Sequence, residues 1–359
     1  MVLGAVECRG FRNLVDARTE IEAGIVVVHG PNGAGKTNLL EAVYFGLTGR
    51  SFRTGNDRDL IRYGEEGARV ELELAGGGSL LAALDRSGER RHLLSGRPLP
   101  GDSQERPLVS VFHPDRLQLI KNAPGHRRAH LDRLCGAIWP ARADLRRRFG
   151  RTLAQRNALV AQLRAGPGGA DSLPSWDDRL AAEAEPLVAA RADAVGALAE
   201  PFAELARRLG MPETEISYRP RASGDREELA AELARRRGED LGRAYTSYGP
   251  QLDELELRLG GRQLRRFASQ GQQRLALLAL LFAERAALLD AGRSAPLMLL
   301  DDVMSELDPT HRELLVSLLE GDGQTVISAT EAAHVPSAKA LCIEVSEGLL
   351  ATAPALRAA

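Results

Sequence analysis

Gly30-Pro31-Asn32-Gly33-Ala34-Gly35-Lys36-Thr37 follows the apolar run Ile25-Val26-Val27-Val28 and leads into Asn38-Leu39-Leu40-Glu41-Ala42-Val43. A strand-like segment, a Gly-x-x-x-x-Gly-Lys-Thr loop and a helical pattern, in that order, form the context of a phosphate loop. The glycines let the backbone curl so that successive N–H groups point inward at phosphate oxygens, and the positive end of the following helix favours the same charge. Lys36 reaches for the outer phosphates, and the Thr37 hydroxyl suits a Mg²⁺ shell in which phosphates and water supply most ligands. The expected nucleotide contacts are Gly30, Pro31, Asn32, Gly33, Ala34, Gly35, Lys36, Thr37 and Asn38. A Gly-rich turn arising by chance would not bring the flanking strand and helix with it.

Working outward, the 359-residue chain is long enough for two lobes and has an ordinary balance of 44% hydrophobic and 27% charged residues. Its longest apolar run begins at Leu275 and falls short of the roughly 18 residues a membrane span needs. The start of the chain lacks a signal-peptide pattern, so the expected compartment is the cytoplasm. Cys8, Cys135 and Cys342 lie far apart, which supports neither a disulfide framework nor a cysteine-rich zinc site. A net charge of −2 exerts no global pull on nucleic acid, so any DNA contact must come from a local patch.

Residues 1–120 read as strand-rich: Val26 to Val28, the alternating Val70, Leu72 and Leu74, and Leu108 to Phe112, separated by Gly-rich turns. The texture then changes. Ala129 to Leu163 and Asp177 to Leu209 carry Ala, Leu and Arg at helical spacing around a breaking linker, Gly166-Pro167-Gly168-Gly169. Pro186 and Pro201 argue against one straight helix in the second segment. Glu254 to Leu259 followed by Gly260-Gly261 reads as a hairpin, and Thr325 to Ser328 as the last strand before a short mobile tail from Ala351.

Leu297-Met298-Leu299-Leu300-Asp301-Asp302 is an apolar strand delivering carboxylates at its C-terminal end, where open α/β sheets bind ligands. Asp301 suits the Mg²⁺. Asp302, on the opposite side of an extended strand, would orient an attacking water. Ser269-Gln270-Gly271-Gln272 opens an apolar helix and has two readings: a second anion site at a helix N-terminus, or a plain capping box of Ser269 with Gln272.

The ordered set of motifs resembles the RecF family of DNA replication and repair proteins, within the SMC-like branch of ATP-binding-cassette-type ATPase heads. The resemblance rests on Phe11-Arg12-Asn13-Leu14, Gly30 to Ala42, Ser51-Phe52-Arg53, Asp59-Leu60-Ile61, Phe112-His113-Pro114-Asp115, Pro124-Gly125-His126-Arg127-Arg128, Leu131-Asp132, Ser269 to Arg274, and Leu300 to Asp308. It implies an α/β fold: a mixed-sheet ATPase lobe from residues 1–112 and 295–359, and a mainly helical lobe from 113–294 carrying the signature motif. It implies that Ser269, Gln270, Gly271 and Gln272 meet the γ-phosphate of ATP held by the loop of a second subunit, with Asp308 at that interface and Arg12 and Asn13 near the nucleotide. Lys36, Asp301 and Asp302 then serve slow ATP hydrolysis. His113 stands where many transporter cassettes have a glutamine, Asp302 replaces their glutamate, and Thr330 replaces their switch histidine. Gly249-Pro250-Gln251-Leu252-Asp253 lacks the His-Arg that usually continues this family segment.

The same resemblance implies ATP-dependent dimerisation, binding of duplex DNA near single-strand gaps, and cooperation with RecR and RecO in recombinase loading. From Lys121 to Arg164, eleven basic residues face two acids, Asp132 and Asp144. This makes Lys121, Arg127, Arg128, Arg146, Arg147 and Arg148 the candidate DNA contacts, against the alternative of a solvated helix face. A transporter's nucleotide-binding subunit is the competing function; Asn38, the helical insertion and Asp301-Asp302 speak against it. An SMC-like structural ATPase is the other, disfavoured by the absence of sustained heptads.

Overall fold

The computed structural model describes residues 2–353 except positions 23, 101, 102, 104, 167–169, 322 and 338. The chain forms two compact units, one of residues 1–116 with 292–359 and the other of residues 117–291. Among the described residues no helix is long and apolar enough to cross a membrane.

The first unit holds two six-stranded sheets. One is ordered Leu349–Ala353, Leu341–Ser346, Ile25–His29, Thr325–Ala329, Leu297–Leu300, Val109–Phe112. All neighbours in it are parallel except the first pair. Leu297–Leu300 and Thr325–Ala329 are buried at every residue, as strands covered on both faces must be. The other sheet is antiparallel, ordered Ala17–Glu20, Leu3–Arg9, Gly67–Leu74, Ser79–Asp85, Arg90–Leu94, Arg97–Pro98. Ser79–Asp85 alternates buried and part-exposed residues. The helix Lys36–Thr48 packs against Gly67–Leu74 and Ser79–Asp85 of this sheet and Thr325–Ala329 of the other. Leu39, Leu40, Val43, Phe45 and Leu47 are buried in one common core with both sheets. A helix apolar on nearly every side suits that position between layers.

Two expectations are corrected in this unit. Thr325–Ala329 is not the last strand, and Ala351 does not begin a mobile tail. Leu341–Ser346 and Leu349–Ala353 form a hairpin through Glu347 and Gly348, both at positive φ. Glu-Gly is a weaker turn signal than Asn-Gly or Asp-Gly, which hid the hairpin in the sequence. Residues 354–359 lie outside the described residues.

The second unit combines the helices Pro124–Ile138, Leu145–Ala165, Leu173–Arg208 and Gln270–Asp290 with an antiparallel sheet ordered Arg262–Gln263, Glu254–Leu259, Thr214–Arg219. The first helical segment breaks where the sequence reading ran it continuously. Pro140 has no N–H to donate and pushes Trp139 into an extended conformation, φ −122° and ψ 93°. Leu173–Arg208 instead runs through Pro186 and Pro201 as one helix. Leu180, Ala184, Leu187, Ala194, Leu198 and Phe202 bury its inner stripe, and it packs on Leu145–Ala165 and Gln270–Asp290. The linker residues Pro167, Gly168 and Gly169 lie outside the described residues.

This unit buries charge in pairs. Arg191 donates to Asp132 at 2.7 and 3.1 Å and to Asp253 at 2.9 Å; Arg156 donates to Asp177 and Asp240, both at 2.7 Å. Asp253 ends the Gly249–Asp253 segment. Buried charges without such partners would be several kcal/mol too costly to keep.

Candidate functional site

Four parallel strands end side by side. Register carries them to Gly30 after Ile25–His29, Thr330 after Thr325–Ala329, Asp301 after Leu297–Leu300, and His113 after Val109–Phe112. The loop from Gly30 to Gly35 leaves the first of these ends and becomes the helix Lys36–Thr48. Its glycines are required. Gly30 has φ 146°, and a Cβ there would lie 2.1 Å from the Val345 carbonyl oxygen. Gly35 has φ 122°, and its Cβ would lie 2.9 Å from Asn13 Oδ1. Pro31, Asn32 and Gly33 are exposed, whereas Ala34 turns inward.

Lys36 is nearly buried and folds back over the loop, its ammonium donating to the carbonyls of Gly30 at 2.8 Å and Pro31 at 2.9 Å. Burial lowers its pKa, opposed by the nearby charges of Asp302 and Asp301. Asp301 is 4% exposed and gathers three groups. Thr37 Oγ1 donates to its two oxygens at 2.9 and 3.0 Å, Ser328 Oγ donates at 2.7 Å, and His113 Nε2 stands 3.5 Å away. A hydroxyl and a carboxylate converging beside a phosphate loop are hard-oxygen donors of the kind that would suit Mg²⁺.

Asp302 departs from the expected geometry. The strand ends at Leu300, and Asp302 has φ 50° and an exposed side chain. Its backbone N–H donates to Ser328 Oγ at 2.9 Å. Its direction is therefore set by a left-handed turn, uncommon for a residue with a Cβ, and not by strand alternation.

Arg12 and Asn13 lie against the loop as supports. Arg12, itself at φ 50°, donates through Nε and Nη2 to both carboxylate oxygens of the fully buried Glu41, at 2.9 and 3.0 Å. Ser51 Oγ at 2.5 Å and Arg53 Nη1 at 3.3 Å donate to the same carboxylate. Asn13 Nδ2 lies 3.4 Å from the carbonyls of both Gly33 and Ala34, and its Oδ1 accepts from Asn38 at 2.7 Å. Arg53 Nη1 then donates to Asn38 Oδ1 at 2.7 Å. Phe52 meets Tyr44 edge-on and lies 5.2 Å from the His113 ring. These contacts give the motifs around Phe11 and Ser51 a common task, holding the loop and its helix.

The sequence reading missed one more support. The Gly348 N–H of the C-terminal hairpin donates to the Ala34 carbonyl at 2.9 Å, and its carbonyl accepts from Val15 N–H. A Cβ on Gly348, at φ 81°, would lie 2.0 Å from the Asn13 carbonyl oxygen. The Glu347-Gly348 turn was the only local signal for it.

In the second unit, Ser269 caps the helix Gln270–Asp290. Its Oγ accepts from Gln272 N–H and its own N–H donates to Gln272 Oε1, so the capping box is complete. Ser269, Gln270 and Gly271 are exposed. Asp308, in the first unit, caps Pro309–Leu319 by accepting from His311 N–H, and its Oδ2 meets His311 Nδ1 at 2.7 Å; these bonds lower its pKa.

The basic stretch is less positive than its sequence. Arg127 is 2% exposed and spends its guanidinium on Glu254 and on the carbonyls of Ile120 and Asn122, so it is corrected from a DNA contact to an internal arginine. Arg128 is half-buried and donates to the Asp253 carbonyl. Arg146, Arg147 and Arg148 are exposed but pair with Asp132, Asp144 and Glu183. Glu183 lies outside the counted stretch, as do Asp177 and Asp240, which take up Arg156. Lys121 is exposed.

Residues 2–76 match the family model of the RecF/RecN/SMC N terminal domain. The chain is 36% identical over 354 residues to the DNA replication and repair protein RecF of Heliobacterium modesticaldum, covering 95% of each chain. It is 38% identical over 347 residues to RecF of Anaeromyxobacter sp. strain Fw109-5, covering 92% of this chain and 93% of that one. Among solved structures, the recombination mediator protein RecF with ATP, described in the RecFOR pathway, superposes with a TM-score of 0.85 at 27% identity over 98% of both chains. An SMC head bound to the C-winged helix domain of ScpA gives 0.62 at 17% identity, covering 98% of this chain and 97% of that one, a likeness of fold alone.

Proposed function

We propose a function from one premise: the chain belongs to the RecF family of DNA replication and repair proteins. It is a cytoplasmic ATP-binding protein of recombinational repair that hydrolyses ATP slowly, in a DNA-linked manner. It dimerises on ATP and binds duplex DNA near single-strand gaps, where it works with RecR and RecO to load recombinase. The observation that carries the nucleotide reading is the Thr37 hydroxyl on the buried Asp301 carboxylate, beside a loop whose Lys36 is its only ammonium. RecF relatives that match more than nine-tenths of the chain favour this reading over a transporter's nucleotide-binding subunit.

Residues 1–112 and 295–359 act as the ATPase lobe, and residues 113–294 as the lobe that carries the signature motif. Lys36 leaves the carbonyls of Gly30 and Pro31 for the outer phosphates, whose negative charge attracts its ammonium more strongly than two neutral carbonyls do. Thr37 and Asp301 hold Mg²⁺, which shields the phosphate charge when bound. Asp302, exposed and close enough to act on the Lys36 charge, positions the attacking water. Ser269, Gln270, Gly271 and Gln272 of a second copy, with Asp308, close the site from the other side.

Replacing Lys36 with Met tests the reading. ATP affinity measured with a fluorescent nucleotide should fall at least 100-fold, and ATP-dependent retention on gapped DNA should be lost. Unchanged affinity would remove the phosphate-loop assignment. Retention of membranes in place of DNA would return the transporter reading.

A further inference from the structure

The helix Gln270–Asp290, which starts at the exposed Ser269 turn, is buried at every residue from Ala276 to Arg285, about three full turns. From Ala276 to Ala283 the buried side chains are Ala, Leu and Phe alone. Such a surface is attracted to its surroundings without direction. It secures burial, but only weakly fixes how far the helix slides along its axis or turns about it. The side-chain bonds at the exposed end are local: Ser269 and Gln272 cap one another, and Gln273 Nε2 donates to the Ala268 carbonyl at 3.1 Å.

A directional contact enters further down the same helix. Glu284, about 22 Å along the axis from Ser269, is 5% exposed and accepts a hydrogen bond from His130 Nε2. His130 is itself buried on the helix Pro124–Ile138, which is bolted in place on either side of it. Arg127 donates to Glu254 and to the Asn122 carbonyl, Arg128 to the Asp253 carbonyl, and Asp132 accepts from Arg191, each at 2.7 Å. The imidazole is thus held on a fixed platform against a helix whose own surface is almost featureless. Arg285, the other buried charge on that helix, acts through a long side chain whose many torsions absorb a shift. The short imidazole and carboxylate side chains have far less slack.

We propose that the His130–Glu284 bond sets the axial register of the helix Gln270–Asp290, and through it the place of the Ser269 turn that is offered to a second copy. A slip of one residue moves that turn by about 1.5 Å and rotates it by about 100°. Hydrogen-bond lengths spread over only about 0.5 Å, so such a slip would take the turn out of reach of a phosphate placed for the correct register. His130 and Glu284 are positioning residues that act through Ser269. This role rests on the two-sided site proposed above.

The experiment compares the wild type with His130→Leu, Glu284→Leu, the His130→Leu/Glu284→Leu double variant and Glu284→Gln. Each is measured for melting temperature, affinity for a fluorescent ATP analogue, and dimer dissociation constant with ATP by light scattering. Each single Leu variant leaves one buried partner unpaired and should melt below the wild type, whereas the apolar double variant should recover the wild-type melting temperature or exceed it. ATP affinity should be unchanged throughout. The double variant should nevertheless dimerise roughly tenfold more weakly, because its stability returns without the directional bond. Glu284→Gln, whose side-chain carbonyl still accepts from His130, should dimerise within about twofold of the wild type. If the double variant fails to fold, Glu284→Gln against Glu284→Leu, at a temperature where both are folded, carries the comparison. A double variant that dimerises as tightly as the wild type, or a Glu284→Gln variant as weak as Glu284→Leu, would overturn the register role. A wild type that binds ATP without dimerising would instead bring down the two-sided site and the register role with it.

Discussion

Glu41 illustrates how much of the site depends on one side chain that touches no ligand. Its carboxylate is fully buried, one turn into the loop helix, and satisfies Arg12, Ser51 and Arg53 at once. Removing the charge leaves the Arg12 guanidinium against a neutral group, and breaking such a pair costs about 3 kcal/mol. Glu41→Gln should therefore lower unfolding free energy by that amount in a denaturant titration and weaken ATP binding through the loosened Asn13 bridge to Gly33 and Ala34. A loss below about 1 kcal/mol would mean that the cluster is a solvated pairing of little weight. Asp301 is held by the same kind of packing: Thr37 and Ser328 donate to its carboxylate and His113 stands beside it.

At the scale of elements, the loop is held from two sides by segments distant in sequence. Phe11 to Leu14 reaches it through Asn13, and the hairpin of Leu341–Ser346 with Leu349–Ala353 reaches it through Gly348 and Val345. Gly348→Ala would force the turn away from the Asn13 carbonyl and break the bond to Ala34, because the added Cβ has no room and φ 81° is strained for alanine. We expect roughly tenfold weaker ATP binding with about 1–3 kcal/mol of lost stability. Wild-type affinity in this variant would show that the hairpin does not shape the loop. The helix Gln270–Asp290 carries a different ambiguity, since its first turn is both a complete capping box and an exposed anion-ready end.

The whole molecule separates those two readings. In the proposed dimer the exposed start of that helix meets the γ-phosphate held by another copy. Ser269→Asp keeps an N-cap of equal quality but places a carboxylate where that phosphate would come. The variant should melt like the wild type and bind ATP normally, yet stay monomeric with ATP in light scattering, where the proposal expects the wild type to dimerise. A dimer formed by Ser269→Asp would refute the two-sided site. DNA contact also belongs to this scale. The excess of basic residues from Lys121 to Arg164 is offset by acids from other segments, so the net field over that region is smaller than the stretch alone suggests.

The sequence by itself determined the family, the phosphate loop and its strand and helix, because glycines, a lysine and a hydroxyl at fixed spacing act through the local backbone. It also determined the apolar strand that ends in Asp301, whose burial is written in four consecutive apolar residues. Only the tertiary structure decided the rest. Arg127 left the surface because Glu254, 127 residues away, and the Ile120 and Asn122 carbonyls take up its guanidinium. Asp302 left the strand's alternation because its own left-handed turn, bonded to the Ser328 hydroxyl of the neighbouring strand, fixed its backbone. Gly348 joined the site because a hairpin near the end of the chain folded it back onto a loop near its start. Spacing encodes what neighbours along the chain can do together, whereas burial and charge pairing depend on partners that only the closed fold supplies.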